Sequence, residues 1–527
     1  MRRLFLVMSF ALAACQQQTP TASNDAGSLI AQAVAAEGGA DALRALNAVK
    51  LSGEAKFWEP GQSLEPGGPP RFLGTAKIET DWNLATGEAR TQWDRDQQYP
   101  PPAEKLRYTE TVLPALGFVT GDKGAKPMSS VRIAAQLREL ERASPRLLLK
   151  AMDDAAHVQK TEPQKLGERL LPAVSYADGA TNFLILFDPD THLPAAIRTR
   201  DDDNMAGDSN YDLLLSDWAP AGSAKIATSL SYRLNGIEVA NFHYTMVAPN
   251  PALPADAFAV PETVKTAAKA PATANVPYQW VIRRLFLNRY LDSDAIIYPD
   301  GGGLKLVELA PNVQQVQGGT ANSLIVAMKD FLVVFDAPYG ELQSRWTIDA
   351  AKAKYPGKPI RYLVLTHHHM DHAGGLRTYV ADGANLIVPV EAAAYVKAAV
   401  AAPHTVVPDD LQKNPRTPVI YGLYEVMSIK DETEEVRVYN MDTADRETDP
   451  RLTNSHSADM IMGHVLGSKL LYVTDLISPR GGPIERSEYT VAVGNDMREQ
   501  RVEGADFTFV GGHGGTVKYA EVAKALK

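Results

Sequence analysis

Thr366-His367-His368-His369-Met370-Asp371-His372-Ala373-Gly374-Gly375 follows directly on an apolar-leaning run, residues 360–365. The run reads as a buried strand, because a strand covered on both faces needs no polar alternation. In extended chain, residues i and i+2 point to the same side, so His367 and His369 can grip one metal ion together. Asp371 and His372 then turn past that ion and can hold a second. Gly374-Gly375 lets the chain close tightly before the helix-like residues 376–380. The stretch therefore predicts a strand-to-helix junction built around a metal site.

The other donors lie downstream, and eight of the eleven histidines fall between His367 and His513. His456 precedes a strand predicted at 460–465. Asp475 follows a strand at 470–474, and His513 sits in Gly511-Gly512-His513-Gly514 after a strand at 507–510. Each donor falls at a strand terminus, where a sandwich of sheets would gather them on one edge. His368 fills the position between two ligands and is expected to face away from them. His464 lies inside a strand rather than at its entry and is expected not to bind metal. His404, in proline-rich sequence, reads as a surface residue or a pocket wall.

These residues give the chain, from about residue 304 to its end, a resemblance to the metallo-β-lactamase-fold hydrolases. Asn322-Ser323-Leu324-Ile325-Val326 and Phe331-Leu332-Val333-Val334-Phe335-Asp336 are similar to that family's opening strands. The resemblance implies an α/β fold with a C-terminal αβ/βα sandwich. It also implies that His367, His369 and His456 bind one metal, that Asp371, His372 and His513 bind a second, and that Asp475 bridges them. Asp336 would be structural. Histidine nitrogens and carboxylate oxygens suit two zinc ions, with manganese or iron also compatible. A pair of such ions makes hydroxide available at neutral pH, and Asp371 would be both a ligand and a catalytic group handling the proton. By the same resemblance, a bridging aspartate favours an ester, lactone or thioester as the small-molecule acyl substrate. A β-lactam hydrolase is the alternative within the family. A non-catalytic, ligand-binding lipoprotein with a structural metal domain is the alternative outside it. Residues 403–453 form a long insertion before the third metal motif, with apolar side chains that could wall a pocket.

The N-terminal half has a different texture. Residues 29–49 predict one or two short helices broken at Gly38-Gly39. After them the apolar period becomes two. Phe183, Ile185 and Phe187 alternate with their neighbours, and Leu230, Tyr232 and Leu234 lead into an Asn235-Gly236 hairpin. Phe242, Tyr244 and Met246 resume one register later, which predicts a bulge near Ala240-Asn241. The texture resembles the half-barrel of periplasmic lipoprotein carriers and implies a mainly antiparallel β domain with room for a lipid or hydrophobic ligand. His157, His192 and His243 are isolated, and no cluster in this half has catalytic spacing. Six prolines between residues 249 and 277 mark a join with few contacts across it. The domain reading is a signal at 1–15, a tether at 16–26, a β domain at 27–262, a linker at 263–277 and a hydrolase domain at 278–527.

Composition narrows the function further. The 527 residues are 45% hydrophobic and 22% charged, as for a folded chain, and the formal net charge is −10. That charge disfavours nucleic acid as a partner, since phosphate binding needs a basic surface. A single cysteine, Cys15, excludes a disulfide framework or a cysteine-rich zinc module. Arg2 and Arg3, an apolar stretch and Leu12-Ala13-Ala14-Cys15 resemble a lipoprotein signal in which the cysteine is lipidated. By the same resemblance, Gln16 after it implies the outer membrane, so the expected location is the periplasmic side of a Gram-negative envelope. Cys15 would be the only membrane attachment.

Overall fold

The computed structural model describes residues 25–287, 303–319, 321–441, 455–502 and 506–527. The signal reading at Cys15 and the end of the 403–453 insertion lie outside them.

Leu29, Ile30, Ala33 and Val34 share one buried face, so Ala26–Ala36 is helical, and the Asp25 side chain caps it by accepting from Ser28 N at 2.6 Å. Gly38 and Gly39, at φ 113° and 96°, turn the chain into a second helix, Ala40–Ala45, as the diglycine predicts. Thirteen antiparallel strands then form one sheet. Its first strand, Ala48–Glu59, lies inside the sheet and pairs with Arg71–Asn83 on one side and Ile237–Pro249 on the other. Burial alternates along the whole of Ala224–Leu234, the period that the sequence shows. The Asn235-Gly236 turn has positive φ at both residues, 50° and 86°, which suits a tight hairpin. The bulge lies slightly earlier than expected. Tyr232 pairs with Ala240 and Arg233 with Glu238, so Val239 is the extra residue and Asn241 is back in register. The helices Ser130–Ala143, Leu147–Asp153 and Tyr278–Leu287 pack on this sheet through Ile133, Leu147, Leu148 and Leu285.

The C-terminal half contains two sheets. The first runs through Lys305–Ala310, Val313–Gln317, Ser323–Ala327, Leu332–Phe335, Ile360–Val364, Asn385–Pro389 and Ile420–Leu423. The second runs through Val426–Lys430, Glu435–Met441, Met460–Val465, Leu470–Tyr472, Thr508–Val510 and Thr516–Lys518. Val326, Val333 and Phe335 of the first meet Val436, Val438 and Ile461 of the second in a buried layer. Helices Glu341–Lys354, Leu376–Asp382 and Ala393–Ala401 cover the outside of the first sheet, while Glu488–Glu499 packs on the second. The expected α/β layering is therefore only partial. Among the described residues, strands outweigh helices, and the second sheet has just one long helix beside it.

The expectation of few contacts across the join is corrected. Tyr278–Leu287 is a helix that follows the prolines, and it touches both halves. Its Arg283 pairs with Glu59 and with Asp203, the latter at 2.7 Å, on the N-terminal sheet. On the other side, Trp280 Nε1 donates to Met370 Sδ at 3.0 Å, next to the metal motif. Asn204 binds the carbonyl of Tyr339, and Asp208 accepts from Thr405 Oγ1 and Val406 N at 2.5 and 2.8 Å. Among the described residues, no helix is long and apolar enough to cross a membrane.

Candidate metal centre

Strand Ile360–Val364 delivers the quoted motif to the edge of the first sheet, where Met370–Ala373 makes one helical turn. Gly374 and Gly375 are required by close approach, since a Cβ on either would strike Tyr339 O or the Ser344 side chain. His456 comes from the loop before Met460–Val465, Asp475 from the turn after Leu470–Tyr472, and His513 from the loop after Thr508–Val510. The structure brings all seven predicted donors together in two groups. His367, His369 and His456 place ligand atoms within 4.8 Å of one another, and so do Asp371, His372, Asp475 and His513.

His456 Nε2 lies 3.1 Å from both His367 Nε2 and His369 Nδ1. Two nitrogens bound to one tetrahedral zinc at about 2.0–2.1 Å lie about 3.3 Å apart, so this spacing fits a shared cation. In the second group, His372 Nε2 is 2.7 Å from Asp475 Oδ1, and His513 Nε2 is 3.6 Å from Asp371 Oδ2. Asp475 Oδ2 reaches back to His456 Nε2 at 3.1 Å and across to His513 Nε2 at 3.3 Å, so one carboxylate faces both groups.

The electrostatics differ between the groups. Burial, and then the neighbouring imidazoles, push His367 and His369 well below the ordinary histidine range, leaving them neutral as ligation requires. Burial opposes charge on His372 and His513 too, but nearby carboxylates outweigh it: Asp475 and Asp336 raise His372, and Asp475 and Asp371 bring His513 up to about 9. Burial would raise Asp371 and Asp475 as well, yet the surrounding histidines hold both well below the usual carboxylate range. Two anionic carboxylates buried among histidines form a donor set suited to divalent cations.

The Metallo-beta-lactamase superfamily model matches residues 316–525. Those residues form a metallo-beta-lactamase superfamily domain. Among solved structures, the metallo-beta-lactamase FIM-1 of Pseudomonas aeruginosa in its mono-zinc form is 16% identical, with a TM-score of 0.30 over 42% of this chain and 93% of that one. A metallo-beta-lactamase from Pontibacter korlensis is 15% identical, with a TM-score of 0.30 over 42% and 97%. One from Hirschia baltica is 15% identical, with a TM-score of 0.29 over 42% and 96%. No curated protein matches the chain.

Around its donors, the metallo-beta-lactamase domain fixes ring orientation through outer partners. His372 Nδ1 meets Asp336 Oδ2 at 2.8 Å, which leaves Nε2 for a metal. Asp336 also accepts from Thr366 N at 2.8 Å and from Tyr472 OH at 3.0 Å, so it acts as a structural hub. His368 turns away, as alternation predicts, but it is fully engaged. Its Nδ1 meets the buried Asp459 at 2.6 Å and its Nε2 meets Ser63 Oγ at 3.0 Å. His464 is remote from the cluster, edge-on to Phe507, and burial brings it down to about 4. His404 is neither on the surface nor in the cluster; it is buried with Nδ1 2.8 Å from Asp202 Oδ1 of the N-terminal half. His157, His192 and His243 are exposed.

The sequence reading missed the N-terminal contribution. Beyond strand Ala48–Glu59, the turn Pro60–Gln62 reaches the metal cluster. Gln62 Nε2 donates to Asp371 Oδ1 at 2.6 Å, and Tyr99 OH donates to Gln62 Oε1 at 2.9 Å. His369 Nε2 donates to the Ser63 carbonyl at 2.9 Å, leaving its Nδ1 for a metal. Arg71 then ties the two halves together, donating to the carbonyls of Gln62 and Ser455 at 2.8 Å and of His456 at 2.5 Å. The only trace in the sequence is a Pro-Gly turn signal at Pro60-Gly61, which says where the chain bends and nothing about what it meets.

Proposed function

We propose that this chain is a metal-dependent hydrolase that uses two divalent ions to open an ester, lactone or thioester. The carrying observation is the position of Asp475, one carboxylate within 2.7–3.3 Å of His372, His456 and His513. Superfamily membership of residues 316–525 points to the same broad activity. His367, His369 and His456 would hold one ion and Asp371, His372 and His513 the other, with Asp475 shared. Zinc suits these donors best, and manganese or iron is compatible with them. When bound, such a pair supplies a nucleophilic water at neutral pH and polarises a carbonyl.

The protein's own part is positioning and proton handling. Asp371 is anchored through Oδ1 by Gln62, which leaves Oδ2, on the His513 side, to orient a proton of the attacking water. Asp336 and the Ser63 carbonyl each hold one ring nitrogen of a ligand histidine, so those rings need little reorganisation as a cation enters. The residues leading to Cys15 support a lipid anchor on the periplasmic side of an outer membrane, and the net charge of −10 argues against a nucleic-acid substrate.

The test is metal analysis of the purified chain, followed by lactone, thioester, ester and β-lactam hydrolysis before and after chelation. About two ions and chelation-sensitive acyl hydrolysis are expected. Full activity in a metal-free preparation would overturn the reading, and turnover of β-lactams alone would shift the substrate class.

A further inference from the structure

A second chamber lies in the N-terminal half. A cavity of about 200 Å³ opens between the thirteen-stranded sheet and its helices, and none of its lining residues belongs to the metal cluster. Its wall is mostly apolar, with Val49, Leu51 and Ile226 from the sheet and Ile282 and Leu285 from the helix Tyr278–Leu287. An apolar cavity of about 150 Å³ is large enough for benzene, so this one has room for a somewhat longer body.

Two polar groups in the wall lack partners. Glu37 is 3% exposed, its Oε2 has no hydrogen-bond partner, and it forms no ion pair with a described residue. Gln136 presents a buried, unpartnered Oε1 to the same cavity. Buried polar atoms are normally satisfied, so two unpartnered oxygens on residues that line one apolar chamber mark the side of it where a ligand's polar end belongs. The other charged groups of the wall are each paired, although Arg95 Nε has no hydrogen-bond partner. Glu110 accepts from Trp93 Nε1 at 2.9 Å and pairs with Arg132, while Arg95 donates to the Leu285 carbonyl at 3.1 Å and to that of Phe286. Glu139 pairs with Arg142 at 2.6 Å.

We propose that this cavity binds a small uncharged amphiphile, an apolar body of about six to eight carbons carrying a hydroxyl that meets Glu37. A hydroxyl both donates and accepts, so it serves Glu37 in either protonation state. Burial pushes the Glu37 carboxyl well above its usual range, which disfavours an ion pair with an ammonium. A carboxylate ligand would face Glu37 across apolar walls, with Arg95 already committed to the end of a helix.

Octanol, octanoate and octylamine, titrated separately into the full chain, test this. Trp82, Trp93 and Trp218, three of the six tryptophans, line the cavity and report occupancy by fluorescence, with the thermal midpoint as a second readout. Octanol should give a saturable change and raise the midpoint. Glu37→Leu should raise the ligand-free midpoint, by removing an unsatisfied buried oxygen, and weaken octanol about tenfold. Ala227→Phe should fill the chamber and abolish binding; if that variant does not fold, Glu37→Leu decides alone. No saturable response to octanol, unchanged affinity in Glu37→Leu, or tighter binding of octanoate or octylamine would overturn the proposal.

Discussion

Strand Ile360–Val364 ends in residues that form the candidate metal centre, whereas strand Ala48–Glu59 ends in residues that contact its side chains. Both deliver a loop to the same spot, and they do so by different chemistry. The first loop contributes imidazoles and a carboxylate, side chains whose type and spacing announce their purpose. The second contributes a glutamine amide and a backbone carbonyl, the Gln62 Nε2 and Ser63 O contacts at 2.6 and 2.9 Å. Any residue carries a carbonyl, so the second kind of contribution leaves no mark on the chain until the fold has placed it.

The sharpest way to break this comparison is to cut the tie between the halves. Arg283→Met should strand the buried carboxylates of Glu59 and Asp203 without a cation. The expected cost is about 3–5 kcal/mol of stability, read by urea unfolding. A loss under 1 kcal/mol would mean that the N-terminal sheet does not depend on the helix that joins it to the metal half.

Asp475→Asn keeps the side chain's size but removes the charge that faces both groups. Metal content should fall and hydrolysis should drop on the order of 10²-fold or more, since disturbing even outer partners costs tenfold to a hundredfold. Normal metal content in this variant would remove Asp475 from the bridging position.

Gln62→Ala asks whether the N-terminal loop matters to the metals at all. Loss of the Asp371 contact should weaken metal affinity about tenfold, measured by competition with a chromogenic chelator. Gln62→Glu would not restore it, because a second carboxylate cannot donate to Asp371. Unchanged affinity in Gln62→Ala would reduce that loop to a passive neighbour.

The smallest effect is expected at His464→Ala, which should leave both metals and activity nearly intact, because this ring packs on Phe507 away from the donors. His368→Ala should cost more than His464→Ala. The His368 ring meets the fully buried Asp459, so removal leaves that carboxylate with only Ser457 Oγ and the residue-368 N–H as partners, at a cost of about 1–3 kcal/mol by thermal unfolding.

The seven candidate donors stood out because ligand chemistry restricts residue type and because they lie near strand ends, and the fold brings them together. The antiparallel texture was legible because alternation follows from the pleat, as Ala224–Leu234 shows residue by residue. The bulge was misplaced because Val239 and Ala240 are both apolar and buried, so hydrophobicity alone could not single out Val239 as the extra residue. The contacts of His404 and Arg283 were hidden for another reason. Each is a lone charged or titratable residue whose partner is supplied by the other half of the chain.

The central place of strand Ala48–Glu59 has a consequence for how the molecule is assembled. Its neighbour Ile237–Pro249 comes almost two hundred residues later, and Gln62 waits for Asp371 across 309 residues of chain. Closing such long loops before their contacts can repay them is slow, so refolding should be sluggish, with metal uptake as its final phase. During synthesis, the segment around Gln62 is made early and completed late, which leaves a long interval in which the unfinished sheet needs protection from other chains.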